Sequence, residues 1–278
     1  MSAIQNNAAN DDRLSLSFHR SFALSRGGVS AILKAAIAGQ EMSWENVRQQ
    51  TSLGTVQVEA MPRYAERCGL LDSSKKPTAF GEVVAEKDPT LSHLSTQWCM
   101  HYFISTPERF RPNFWSNVVT NLFSYNQSFQ AEDVATNIRS FAVAQSQKEP
   151  SIRTANDSAT ALAGTYTKDD ALGALGILEN NGGVYSVREP KPVPVGAFAC
   201  ILADYWASVW RERDDVLLRD VNDGMLSSLL LLPKDQINDL LSELSERGLV
   251  TRQRRVPPFK VTRQWSDKNA LWREHLYA

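Results

Sequence analysis

Short helices, each closed by a glycine, are the strongest constraint this sequence places on its fold. KDQINDLLSELSERG sets Ile237, Leu240, Leu241 and Leu244 at the i, i+3, i+4, i+7 spacing of one helix face and stops at Gly248. GVSAILKAAIAG repeats the logic, with Val29, Ile32, Leu33 and Ala36 on one stripe and Gly39 as the stop. In SWENVRQQTSLG, Ser43 is the expected N-cap, and Asn46 stands where a full capping box has Glu or Gln. A third helix is expected from about Thr55 to Cys68, with Val58, Met61, Ala65 and Cys68 inward, followed by the turn DSSKKPT and a further helical piece, AFGEVVAEK.

Three helices and a basic turn are the order of a winged helix-turn-helix, whose third helix enters the major groove of DNA. Pro62 interrupts the proposed recognition helix, where an interior proline removes a hydrogen bond and costs about 3 kcal/mol unless the helix kinks or starts there. At the other end, strands are expected to begin at Leu249 and Phe259 around a Pro-Pro corner. Residues 91–129 hold Trp98, Tyr102, Phe103, Phe110, Phe114, Trp115, Phe123, Tyr125 and Phe129, read as two or three core-packing helices broken near Pro107 and Pro112. Polar SQKEPS is the best interior linker. ENNGGVYSV is a hairpin turning at Asn181-Gly182 or Gly182-Gly183, and AFACILADYWASVW is a buried helix. The expected fold is mainly α, with winged-helix-like modules at both ends joined by an aromatic-rich helical middle. Its divisions are a flexible tail over 1–17, a module over 18–90, the helical middle over 91–190 and a second module over 191–278.

Charge bears directly on function. The 278 residues carry a net charge of -1, so any polyanion site must be local. From Arg247 to Arg263 there are six cations (Arg247, Arg252, Arg254, Arg255, Lys260 and Arg263) and no acid. That run is read as a DNA-binding wing, because the planar fork of arginine bonds phosphate oxygens in pairs. Gln57, Arg63, Lys75 and Lys76 are the further candidates in the first module. Cys68, Cys99 and Cys200 are odd in number and widely spaced, which fits buried thiols in a reducing cytoplasm. No apolar run reaches the roughly 18–20 residues of a membrane span, so no membrane partner is expected.

The sequence carries no motif that points to an enzyme or a cofactor, and neither is expected. Neither GxxxxGK[ST] nor GxGxxG occurs, and no GxSxG elbow exposes a nucleophile. His93, Cys99 and His101 are too badly spaced to share a zinc ion. Asp204, Asp214, Asp215, Asp220 and Asp223 include the run RERDDVLLRDVNDG, whose alternating Arg and Asp read as a solvated helix face with local ion pairs.

Six blocks in order, from Phe18 to about Trp265, carry a family resemblance. They are FHRSFALSRGGVSAIL, MPRYAERCGLL with PTAFGEVV, TQWCMHYFIST, FWSNVVTNLF, TANDSATALAGTY and YSVREPKPVPVGAFACILADYW. The chain resembles a bacterial family named only as a numbered domain of unknown function. Genes of that family often lie beside phosphosulfate-reductase-like sulfurtransferases of DNA phosphorothioation type, in anti-phage defence or DNA-modification loci. His19, Asp157 and Tyr166 are the polar positions matched to it, while a second acid of the family pattern is replaced by Ala159. The resemblance implies a setting, DNA modification or anti-phage defence, more than a mechanism. Joined to the basic run and the absence of catalytic motifs, it gives the expectation of a non-catalytic, double-stranded DNA-binding component of such a complex, with other subunits as partners. The alternative is a protein–protein adaptor that uses winged-helix modules as docking surfaces.

Overall fold

A computed structural model describes Leu14, residues 16–107, 113–253 and 255–278. Four helices open it: α1 (Arg26–Ile37), α2 (Trp44–Gln50), α3 (Gln57–Arg67) and α4 (Ala79–Lys87). The glycine stops hold: α1 ends just before Gly39, at φ +71°, a left-handed conformation that costs glycine nothing. Ser43 caps α2 by accepting from the Asn46 N–H at 3.4 Å. Pro62 does lie inside α3, and it is buried with Val58, Met61 and Tyr64 on the inward face. The basic turn after α3 is no two-stranded wing. A single bridge, Leu71 to Pro77, closes it, and the Asp72 carboxylate accepts from the backbone N–H groups of Ser74 and Lys76.

The aromatic middle is core, as its residue types imply. It comprises α5 (Leu94–Ser105), α6 (Phe114–Leu122), strand β1 (Ser128–Gln130), α7 (Ala131–Ala144) and α8 (Ile152–Thr167). Trp98, Tyr102, Phe114, Trp115 and Phe123 are buried, as is Phe129 on β1, whereas Tyr125 is 65% exposed. Phe110 and Pro112 lie outside the described residues. The SQKEPS stretch is only the loop between α7 and α8, two helices packed along each other. Strands β2 (Leu178–Asn181) and β3 (Val184–Val187) form the expected hairpin, turning on Gly182 and Gly183, both at positive φ. β1 adds to the far side of β3, giving the order β1-β3-β2.

The buried helix α9 (Val195–Tyr205) runs into a π-helical turn over Trp206–Trp210. Then come β4 (Asp215–Leu217), α10 (Leu218–Asn222), α11 (Met225–Leu230), α12 (Lys234–Glu246), β5 (Val250–Gln253), β6 (Lys260–Arg263) and α13 (Lys268–His275). The second sheet has the order β4-β6-β5, antiparallel throughout. Here the structure departs from the sequence reading, because the Arg/Asp run of 211–224 is not one solvated helix face. Its centre is β4, whose Val216 is buried opposite Val261 of β6.

One hydrophobic core runs from Phe18 to Leu276. Leu14 and Leu16, inside the stretch read as a tail, pack against the rest. α13 lies on both α9 and α4, so the stretches read as the first and last modules share a core. Contact between α9 and α13 depends on Gly196: a Cβ there would stand 1.9 Å from the His275 carbonyl oxygen. Gly196→Ala is therefore expected to cost about 1–3 kcal/mol by overpacking, read as a lower melting temperature. Gly27→Ala is the control, since a Cβ there meets nothing within 4 Å on helix α1 and is expected to leave stability unchanged or raise it.

Candidate nucleic-acid interface

The carboxyl-terminal hairpin does not present a free row of cations. β6 sits between β5 and β4, which brings the acids of the 214–215 corner beside its basic side chains. Arg263 donates to Asp214 at 3.1 Å, and Lys260 pairs with Asp215 at 3.1 Å. Arg247 pairs with Glu243 one turn back on α12, at 2.9 Å. Arg252 lies back across α12, donating to the carbonyl and side-chain oxygens of Asn238, each at 3.0 Å, and to the Ser242 hydroxyl. Arg255 is exposed and has no partner among the described residues. Arg254 lies outside them. The expectation of a cluster without compensating acid is thus corrected for three of its members: Glu243 of α12 pairs with Arg247, and Asp214 and Asp215, far away in sequence, pair with Arg263 and Lys260. Beyond Arg255 the tip is apolar, with Val256 63% and Phe259 44% exposed.

The first-module candidates separate into two groups. Gln57 is committed locally, its side-chain oxygen accepting from the Gly54 N–H at 3.3 Å. Lys76 is exposed on the closed turn. Arg63 and Lys75 share the wall of one cleft with Arg20, Arg67 and Lys148, which the sequence reading missed. Nothing in the local pattern signals that grouping, since the five come from the chain start, α3, the turn after it and the α7–α8 loop. Lys75 pairs with Glu66, and Arg67 lies over the Phe18 ring at 4.6 Å.

The family-matched polar residues have structural employment. His19 is buried; its Nδ1 accepts from the Ser21 N–H at 3.0 Å, so Nε2 carries the proton and donates to Ser158 Oγ at 3.1 Å. Ser21 in turn donates to Asp157 at 2.9 Å. These bonds fix a turn in which Arg20 and Ser21 both take positive φ, +48° and +64°, a conformation that costs non-glycine residues energy. Tyr166 is the hub of a second network. The Leu229 carbonyl accepts from His101 Nε2 at 2.7 Å, leaving His101 Nδ1 to accept from the Tyr166 hydroxyl at 2.8 Å. That hydroxyl accepts from Trp115 Nε1 at 2.9 Å.

His93 caps α5 through the Ser95 N–H, and Cys99 is buried, so the weak zinc candidates do not converge. All three cysteines are buried and free, and burial raises their thiol pKa values. Each acid of the 204–223 set is paired with a cation: Asp204 with Lys268, Asp214 with Arg263, Asp215 with Lys260, Asp220 with Arg219 and Asp223 with Lys234. Among the described residues, no group of three His, Cys, Asp or Glu could hold a metal ion, and no helix is long and apolar enough to cross a membrane.

Among the described residues, the geometry defines a largely helical fold with two small antiparallel sheets and a cationic cleft between the turn at residues 17–20, α3 and the α7–α8 loop. The family model described as "Protein of unknown function (DUF4007)" matches residues 19–255, and the chain belongs to that family. Its fold is similar to two solved structures, each 16% identical in sequence. One is described as "Magnesium ion-bound SspB crystal structure" (TM-score 0.76; 94% of this chain and 88% of that one covered). The other is "SspB crystal structure" (TM-score 0.73; 92% and 85%). No curated protein sequence matches the chain.

Burial sets a pH dependence. It holds His19 and His101 neutral, lowering each pKa from 6.5 to about 4. Between those values the unfolded chain binds more protons than the folded one, so stability rises with pH there. The melting temperature is expected to be steady above about pH 6.5, to fall as the pH drops toward 4, and to lose this contribution below it. A flat melting curve across that window would contradict the neutral, buried assignment.

Proposed function

We propose that this protein is a non-catalytic component of a bacterial DNA-modification or anti-phage assembly of phosphorothioation type, acting in the cytoplasm and contacting duplex DNA. The observation that carries the reading is the fold likeness to SspB along almost the whole chain, joined to membership of the DUF4007 family. The sequence resemblance to relatives encoded beside phosphorothioation sulfurtransferases fits the same setting. The winged-helix reading of the carboxyl-terminal end draws support from its element order, α9, β4, α10–α11, α12, β5, β6, and from the strand order β4-β6-β5.

The two ends are given different tasks. Lys260 and Arg263 are offset by Asp215 and Asp214, so among the described residues of the hairpin only Arg252, turned back onto α12, and Arg255 keep charge without an acid beside it. Its exposed Val256 and Phe259 suit a protein surface, and this observation favours the adaptor role for the hairpin tip. Contact with DNA is assigned to the first module, where Arg63 and Lys75 lie. Binding is proposed instead of catalysis because His19, Asp157 and Tyr166 are spent on intramolecular bonds. One SspB structure is described as magnesium ion-bound. Among the described residues of this chain, no group of three His, Cys, Asp or Glu could hold such an ion.

Fluorescence anisotropy of the full chain with a short duplex tests the DNA contact. Affinity is expected to fall with salt at a log-log slope of about -0.9 per phosphate engaged; no binding at low salt would remove this part of the reading. Pull-down from the native host tests the assembly role. Subunits retained after nuclease treatment and lost in Val256→Asp/Phe259→Asp support docking at the tip, and retention in that variant refutes it. Nicking of plasmid by the purified chain with magnesium would overturn the non-catalytic assignment.

A further inference from the structure

Between the turn at residues 17–20, α3 and the α7–α8 loop lies a cleft of about 860 Å³. Among the described residues, its walls carry five cations (Arg20, Arg63, Arg67, Lys75 and Lys148) against two carboxylates, Glu66 and Glu149. Both carboxylates are already engaged, Glu66 by Lys75 and Glu149 by Arg139 at 2.6 Å. Arg20 is held by Glu59 at 2.5 Å. Arg63 and Lys148 have no ion-pair partner among the described residues. In a chain of net charge -1, this is a local excess of positive charge collected from four separate segments.

Three further observations bear on what the cleft would take. The Arg63 guanidinium is pushed below its usual pKa by desolvation at the cleft wall and by the charge of Arg20; Arg67 adds to this, against Glu59 and Glu66. Like charges crowded in this way are relieved by an anion. Arg20 reaches the cleft from a left-handed turn fixed by His19 and Asp157, and such backbone is retained where surrounding structure over-determines it. The first turn of α8, with Ser151 and Thr154, forms another part of the wall, and a helix start carries partial positive charge and unsatisfied N–H groups.

We propose that this cleft is a phosphate site, gripped by Arg63 and Lys148, with Arg20 positioned beside them by the 17–21 turn. Arginine forks and a helix start suit the tetrahedral oxygens of a phosphate better than a single carboxylate. The volume is that of an ordinary ligand site, large enough for a nucleotide or a stretch of backbone. The same chemistry serves a nucleic-acid phosphodiester or the phosphates of a free nucleotide. The first source rests on the DNA reading given above; the second does not.

Arg63→Glu/Lys148→Glu tests the site, because both side chains are exposed and unpaired, and an unchanged melting temperature establishes that the variant folds. Two probes are used on the full chain, a short duplex by anisotropy and ATP by calorimetry. For a backbone site, the variant is expected to bind the duplex more weakly, with the salt slope reduced by about 1.8, at about 0.9 per cation removed, and ATP does not compete. For a nucleotide site, ATP binds the wild type and its heat is lost in the variant. That second result, with no duplex binding by the wild type, keeps the cleft and discards the DNA contact. Wild-type slope and affinity for the duplex in the variant, with ATP heat either absent from the wild type or undiminished in the variant, would overturn the proposal, as would failure of both probes to bind the wild type.

Discussion

The hydroxyl of Tyr166 is the point on which the packing of this protein turns. α5 is buried on almost every side, yet it carries Ser95, Thr96, Gln97, His101 and Ser105 in its buried surface. Polar groups taken out of water must find partners inside, and a missing partner costs about 1–3 kcal/mol. Tyr166 on α8 supplies one by donating to His101, while accepting from Trp115 on α6; His101 passes the chain on to the Leu229 carbonyl of α11. Thr96 and the Tyr277 hydroxyl, 2.8 Å apart, extend the same solution to the segment after α13. These bonds fix the mutual placement of helices whose apolar surfaces alone would allow several arrangements.

Charge is distributed by the same long-range packing. The sheet order β4-β6-β5 puts Asp214 and Asp215 beside Arg263 and Lys260, and these two cations of the hairpin are compensated. Such exposed pairs contribute only about 0–1 kcal/mol to stability; their consequence here is for recognition, because they cancel the field a polyanion would feel. At the opposite end of the chain, the turn at His19, α3 and the α7–α8 loop converge with more cations than acids. The near-zero net charge hides both arrangements.

Much of the fold was legible in local pattern. Gly39 and Gly248 end their helices where periodicity said they should, Ser43 caps α2, and the β2–β3 hairpin turns on Gly182-Gly183. The strands after α12 begin at Val250 and Lys260, one residue beyond the expected positions. The three-residue strands β1 and β4 escaped, because a strand so short has no alternation to read and exists only through its partner in the sheet. In RERDDVLLRDVNDG, alternating charge imitated a solvated helix face. The misreading mattered, for it concealed the acids that pair with Lys260 and Arg263. Of the cleft, Arg63 and Lys75 were visible as cations near a turn, but their grouping with Arg20 and Lys148 was not.

By itself, the sequence determined the longer amphipathic and buried helices, where α1 and α12 stop, that the aromatic middle is core, and how many cations lie near the carboxyl end. Those properties follow from spacing and side-chain type within one or two turns of chain, over distances that periodicity can report. Only the tertiary structure decided which cations remain uncompensated. That depends on strand order and helix packing between residues more than forty positions apart, such as Lys260 and Asp215, and Coulomb energy follows distance in space, not separation along the chain.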